Sequence, residues 1–318
     1  MAYYRAGEII RLNRIALGMT QEELSEDICS VETLSRIENG HHKVKKDTYK
    51  RLMERMNRMP EKNYAICTTK DMGLLEEDFI IRNFMVNHDY KRAEVYLHEM
   101  EQKIGTDVIS QQHLKRIKAV IYHENKKICT KKYIKELEET LAMTVPNYEK
   151  YIDGIYPFTE QEAYIVLNIA GGYGDERNHE KCLQIYQMLL RCVDAEYMDA
   201  ENGSILKVIV TRNMCCQFGP MKRYQEAIEL SQKNYEECLS IGYDHMLPVI
   251  CGDIAWNMMK QIEEGERNME DIVLVKKYLR QAYYAAAAKE MDVFCNATKE
   301  YWKKKFMENR DYFAVSLL

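Results

Sequence analysis

Met19–Gly40 reads MTQEELSEDICSVETLSRIENG, and the punctuation of this stretch decides how the rest is read. Thr20 followed three residues later by Glu23 is a capping box that opens a helix. Ser30 opens a second helix, with Thr33 where a box would place Glu, and Asn39-Gly40 stops it. Two short capped helices around a tight turn predict a helix-turn-helix, whose second helix enters the major groove of DNA.

Outward from that stretch the pattern predicts a four-helix bundle over residues 1–58. Helix 1 should run from about Gly7 to Leu17, with Ile9, Leu12 and Ala16 on one face and Gly18 as its stop. Helix 2 should turn Leu24 and Ile28 inward. Helix 3 should bury Val31 or Leu34 with Ile37, and helix 4 should begin near Asp47 and bury Tyr49, Leu52, Met53 and Met56. That leaves Glu32, Thr33, Ser35 and Arg36 facing outward, with Ser30 and Val31 at the edge. Glu can accept from cytosine N4, Thr can touch a thymine methyl, and Arg can pair with guanine through two hydrogen bonds. Gln21, at a helix N-terminus, is placed for a phosphate. Lys43, Lys45 and Lys46, with Lys50, follow helix 3 where the duplex backbone should pass. His41-His42 reads as a solvated loop, not a ligand pair.

The run Arg14-xxx-Gly18-Met19-Thr20-Gln21-xx-Leu24, with Leu34-Ser35-Arg36-Ile37-Glu38-Asn39-Gly40, resembles the XRE (lambda-repressor-like) domain. The resemblance implies that Arg14 and Glu38 form a partly buried ion pair bracing helix 1 to helix 3. Between Gln21 and Gly40 the chain is one residue shorter than the commonest family pattern. The turn at Cys29-Ser30 is tighter and lacks the family glycine, a form that resembles the PlcR-type receptors.

The 318 residues are too many for one small bundle. Only 5 prolines and 14 glycines fit long helices with short connections. Residues 1–58 carry a net charge of +2 and the remainder −7, a mildly basic head on an acidic body. No apolar run approaches the roughly 20 residues needed to span a bilayer, and Met1–Glu8 has no signal-like apolar core. A cytoplasmic location without membrane contact is therefore expected. The ten cysteines form no C-x-x-C pair and no zinc pattern, so they read as reduced, mostly buried thiols, and no metal or cofactor is expected. Cys215-Cys216 reads as core rather than redox sensor.

Pro60 interrupts the helical pattern, so residues 59–70 read as a linker with Thr68 or Thr69 capping the next helix. From 71 to 318, helix pairs recur. Ala93, Leu137, Cys182 and Ala227 lie 44, 45 and 45 residues apart in the second helix of successive pairs. A fixed period with one helical hairpin each predicts an α-solenoid. The Tyr-x-x-Ala element at Tyr90–Ala93 and Tyr224–Ala227 resembles the tetratricopeptide (TPR) repeat, with a longer period. A last pair fits Leu247–Glu264 with Ile272–Lys289, where Ala285–Ala288 suggests a close helix contact. Met291–Asn309 should be a final helix, basic and aromatic, serving as a cap or a partner contact. The fold class is thus all-α: a lambda-repressor-like helix-turn-helix head followed by a TPR-like solenoid.

Asn83, Asn168, Asn213 and Asn257 lie in first helices, and the last three are 45 and 44 apart. Asn is a poor helix residue, and its amide both donates and accepts. A ladder of such amides can hold an extended peptide backbone; it can equally bridge neighbouring repeats, and spacing alone leaves both readings open. Arg212 could pair with a peptide carboxylate, and Tyr164 and Trp256 could supply apolar pockets. No Walker loop, nucleophile elbow or HExxH occurs, and Gly171-Gly172-Tyr173-Gly174 reads as a loop between helices. Catalysis is not expected.

Head, linker and body together resemble the RNPP family of Gram-positive bacteria, with its PlcR-like, PrgX-like and Rgg-like members. The resemblance implies a homodimeric quorum-sensing regulator that binds double-stranded DNA through its heads and a short signalling peptide through groove asparagines. Two rivals remain at this point: a repeat-containing interaction scaffold, and a dimeric repressor with no effector.

Overall fold

The computed structural model describes residues 6–56, 58, 73–195 and 200–307. The expected linker at 59–70 and its capping threonines lie outside the described residues. Among the described residues there is no strand. The helices are α1 (Ala6–Ala16), α2 (Gln21–Ser25), α3 (Val31–Glu38), α4 (Lys46–Arg55), α5 (Gly73–Val86), α6 (Tyr90–Lys103), α7 (Val108–Glu124), α8 (Thr130–Ala142), α9 (Glu160–Asp175), α10 (His179–Asp194), α11 (Ala200–Phe218), α12 (Tyr224–Ile241), α13 (Leu247–Glu263), α14 (Ile272–Ala287) and α15 (Asp292–Trp302). No described helix is long and apolar enough to cross a membrane.

The chain forms two compact units, residues 1–203 and 204–318. In the first unit, α1–α4 close around Ile10, Leu24, Leu34, Ile37, Leu52, Met53 and Met56. Leu34, not Val31, is the inward residue: Leu34 is fully enclosed and Val31 is 36% exposed. Gly7 lets α1 meet the end of α3, because a Cβ there would lie 1.9 Å from the Ile37 carbonyl oxygen. Successive helices from α5 to α10 pack on their neighbours in the same unit. The second unit pairs α12 with α13, α13 with α14 and α14 with α15 around one core that includes Ile254, Met258, Val275 and Trp302.

The four anchors of the period, Ala93, Leu137, Cys182 and Ala227, are all fully enclosed. The turns within these four pairs follow one recipe. The first helix ends with a residue in the left-handed region: His88, Lys126, Arg177 or Lys222, with φ of 57°, 60°, 61° and 59°. The next amide N–H then bonds back to an aromatic residue's carbonyl: Asp89 to Phe84, Lys127 to Tyr122, Asn178 to Tyr173, Arg223 to Phe218, at 2.8–2.9 Å. This is the Schellman closure, made without glycine. The strain of a non-glycine left-handed residue, about 1–2 kcal/mol each, is offset by the carbonyls it satisfies.

Three expectations need correction. Gly171–Gly174 is not a loop but the last turn and a half of α9. A Cβ on Gly172 would lie 2.7 Å from Ile134 Cγ1, so this glycine permits close helix packing, which outweighs its poor helix propensity. Helix 2 is shorter than expected: α2 ends at Ser25, and Ile28 packs on the core from the turn. The final helix ends at Trp302 and continues as a wide π turn over Lys303–Met307. Trp302 and Phe306 are buried there, so the tail's aromatic side completes its own unit's core.

Candidate functional site

Helix α3 is positioned by polar contacts from three sides. Thr20 and Glu23 close both halves of the capping box, at 3.1 and 2.7 Å. Ser30 Oγ accepts from the Thr33 N–H at 3.1 Å and lies 2.8 Å from the Thr33 hydroxyl. Arg14 donates through Nε and Nη2 to the two oxygens of Glu38, at 2.7 and 2.8 Å, and through Nη1 to the Met19 carbonyl at 2.9 Å. The hydrogen bond to Glu38 holds the Arg14 pKa above its usual value against the opposing effect of burial. Gln21 does something its position did not suggest. Its Nε2 donates to Glu38 Oε2 at 2.7 Å, so the amide serves the brace between α1, α2 and α3. A phosphate would have to compete with that bond.

The shortened turn has its own support. Asp27 takes φ = 54°, the conformation a glycine would otherwise supply. Arg51 and Arg55 on α4 donate to the carbonyls of Asp27 and Glu26. A basic pair four residues apart, opposite a turn without glycine, is the sequence signal for this support. Facing outward on α3 are Glu32 and Arg36, exposed, with Thr33 and Ser35 half-buried between them. Lys43, Lys45 and Lys46 are exposed in the loop and at the start of α4.

Arg58, just beyond α4, is only 1% exposed. Its guanidinium forms an ion pair with Glu162, which is equally buried, and donates to the Tyr156 hydroxyl and, at 3.2 Å, to the Thr144 carbonyl. The Tyr156 hydroxyl donates in turn to Asn13 Oδ1 of α1 at 3.4 Å. Glu162 also closes the Thr159 capping box at the start of α9. Thr144 donates to it as well, and Gln112 of α7 donates to Thr144 Oγ1 at 2.7 Å. Head and repeats are thereby joined within the first unit through a buried polar network. Burial pushes the Tyr156 pKa up to about 12, with Arg58 opposing.

The repeat residues fall into two sets. In the first unit, Asn83 is exposed on α5. Tyr164 and Asn168 stand one turn apart on α9, half-buried; the Arg116 guanidinium of α7 lies 5.7 Å from the Tyr164 ring centre. Asn168 Oδ1 is enclosed and has no hydrogen-bond partner. In the second unit, Arg212 donates to Asp253 of α13 at 3.0 Å and approaches Asn213 Oδ1 at 3.5 Å. Asn257 Nδ2 donates to the Asp253 carbonyl of its own helix at 2.8 Å, while its Oδ1 is enclosed without a partner. Trp256 packs edge-on against Tyr224, with ring centres 6.3 Å apart. Arg212, expected to meet a ligand carboxylate, therefore already holds an internal one. The described cysteines are free thiols, and burial raises the pKa of Cys215 and Cys216 to about 11 and about 12, which suits packing. No metal-holding cluster occurs among the described residues.

Residues 10–61 match the Helix-turn-helix family model. No curated protein sequence matches the chain. Among solved structures, the fold is similar to Bacillus thuringiensis PlcR in complex with the peptide PapR7 and DNA, with a TM-score of 0.62 at 19% identity, over 93% of this chain and 99% of that one. Apo PlcR from the same organism aligns at a TM-score of 0.56 and 18% identity, over 93% and 98% of the two chains. ComR from S. thermophilus, in complex with DNA and its signalling peptide ComS, aligns at 0.50 and 13%, over 93% and 97%.

Proposed function

We propose that this chain is a DNA-binding transcription regulator, acting as a homodimer in the cytoplasm, whose repeats take a short signalling peptide. The observation that carries the first part is α3. It is braced on its inner side by Arg14, Gln21 and Glu38, and presents Val31, Glu32, Thr33, Ser35 and Arg36 to solvent beside Lys43, Lys45 and Lys46. Recognition needs this combination, because base-reading side chains discriminate only when their helix is held in register. In this reading Arg14, Glu38 and Gln21 position the helix, Glu32, Thr33 and Arg36 read bases, and the lysines hold phosphates.

The peptide reading is supported by Asn168 in the first unit and, separately, by Asn257 in the second, each with an enclosed acceptor oxygen that lacks a partner. Leaving such an atom unpaired costs about 1–3 kcal/mol, and an extended peptide offers the N–H groups that would recover it. The PlcR and ComR complexes, which hold both DNA and a peptide, support the same reading by analogy of fold. The Arg58 network ties α1 and the segment just beyond α4 to α7 and α9, and so supplies a bonded path from the repeats to the head. A peptide switches the regulator only if it favours one arrangement of the heads over another.

The test is selection of duplexes from a randomised DNA pool by the purified full chain, followed by anisotropy on the enriched site. Enrichment of a two-half-site sequence, with affinity falling steeply as salt rises, is the expected result. If no sequence is enriched, or one is enriched equally by an Arg36→Ala, Glu32→Ala variant, the assignment of α3 is wrong.

A further inference from the structure

Arg116 is a charge of the first unit that no carboxylate of the described residues pairs with. It projects from the middle of α7 and is half-buried, and its Nε is enclosed without a hydrogen-bond partner. The nearest candidate, Asp78 on α5, is taken. His113 Nε2 lies 2.6 Å from its Oδ1, and Arg82 donates to its Oδ2 at 2.8 Å. Asp78, Arg82 and Arg116 therefore leave one positive charge over. Burial pulls the Arg116 pKa down, with Asp78 opposing, but an arginine stays charged at neutral pH.

The neighbours complete a pattern. Tyr164 presents its ring face to the guanidinium at 5.7 Å. One turn further along α9, Asn168 carries the enclosed Oδ1 that nothing donates to. A donor without an acceptor and an acceptor without a donor thus sit on adjoining first helices, α7 and α9. A peptide segment bearing a carboxylate supplies both missing partners: oxygens for the guanidinium and an amide N–H for Asn168.

We propose that Arg116 and Asn168 form a carboxylate-binding subsite, in which Arg116 holds a carboxylate of the bound peptide and Asn168 Oδ1 accepts a backbone N–H close to it. This rests on the peptide reading above and narrows it: the ligand of the first unit carries a free C-terminus or an acidic side chain at that point. Tyr164 flanks the carboxylate and restricts the guanidinium to one orientation.

The experiment uses the full-length chain and three pools of synthetic random heptapeptides. One has free C-termini and no Asp or Glu, one is amidated but contains Asp and Glu, and one is amidated without acidic residues. Peptides retained by the protein are read by mass spectrometry. Enrichment from at least one carboxylate-bearing pool about tenfold or more above the third pool is expected, and which pool responds identifies the source of the carboxylate. Arg116→Gln should abolish that enrichment, and Asn168→Ala should weaken retention without changing the preference. Arg116→Met should leave the thermal midpoint level or raised, as befits a charge with no internal partner; a marked drop would mean that Arg116 is a structural brace and would overturn the proposal. Retention indifferent to carboxylate, or unchanged in Arg116→Gln, would also overturn it while leaving the peptide reading standing. Retention from no pool would overturn both.

Discussion

Arg58, buried, and Arg116, half-buried, are two arginines of the same unit that differ in their carboxylates. Arg58 has a buried carboxylate, a hydroxyl and a carbonyl around it, and those partners are themselves satisfied. Arg116 has an aromatic face, and its nearest carboxylate is occupied by His113 and Arg82. Burial alone therefore says nothing about role. A buried charge with a carboxylate against it holds the fold, while one without a carboxylate is open to a ligand's.

The contrast can be broken most directly at Arg58. Arg58→Ala or Glu162→Ala each leaves the other charge buried and alone, and should cost about 3–5 kcal/mol. Arg58→Met with Glu162→Leu should recover much of that loss in urea titration. If the single changes cost under about 1 kcal/mol, the network is not the joint described here. A second test uses pH. Tyr156 has its pKa raised by burial to about 12, so its contribution is complete below its unfolded value of about 10 and is lost as pH rises through that window. Tyr156→Phe should flatten that part of the alkaline stability profile by up to about 2–3 kcal/mol; an identical slope in the variant would remove Tyr156 from the joint.

The head supplies smaller effects. Arg36→Ala should relax preference at one base position, by about 1–3 kcal/mol of discrimination. Lys46→Ala should weaken all duplexes alike and reduce the salt slope by about one unit. Equal effects from the two would merge readers and phosphate contacts into one class. Smallest of all, Arg51→Ala should lose about 1 kcal/mol through the unheld Asp27 carbonyl. A neutral result would assign the tight turn to Asp27 and Arg55 alone.

Local chemistry made much of this legible beforehand. The Thr20–Glu23 and Ser30 caps, the Gly18 and Gly40 stops and the anchors at Ala93, Leu137, Cys182 and Ala227 are short-range or periodic signals, and they fall where they were read. Gln21 shows the limit. A polar residue at a helix N-terminus suits a phosphate or a neighbouring carboxylate equally well, and the bond to Glu38 forms only because the fold brings α3 beside it. The glycines at 171–174 misled for a related reason. Their low helix propensity is a local quantity, whereas the closeness of Ile134 is not.

Hydrophobic spacing and capping act within a few residues, so the chain's own order of residues carries the all-α class, the Thr20 and Ser30 caps, the helix-turn-helix and the repeat period. Tertiary structure alone decided which charges are complete. Arg58 and Arg116 carry the same group, but Glu162 lies 104 residues from the first and no carboxylate of the described residues pairs with the second. Pairing at such separations is settled by how α4, α7 and α9 pack, which no local pattern in the chain encodes.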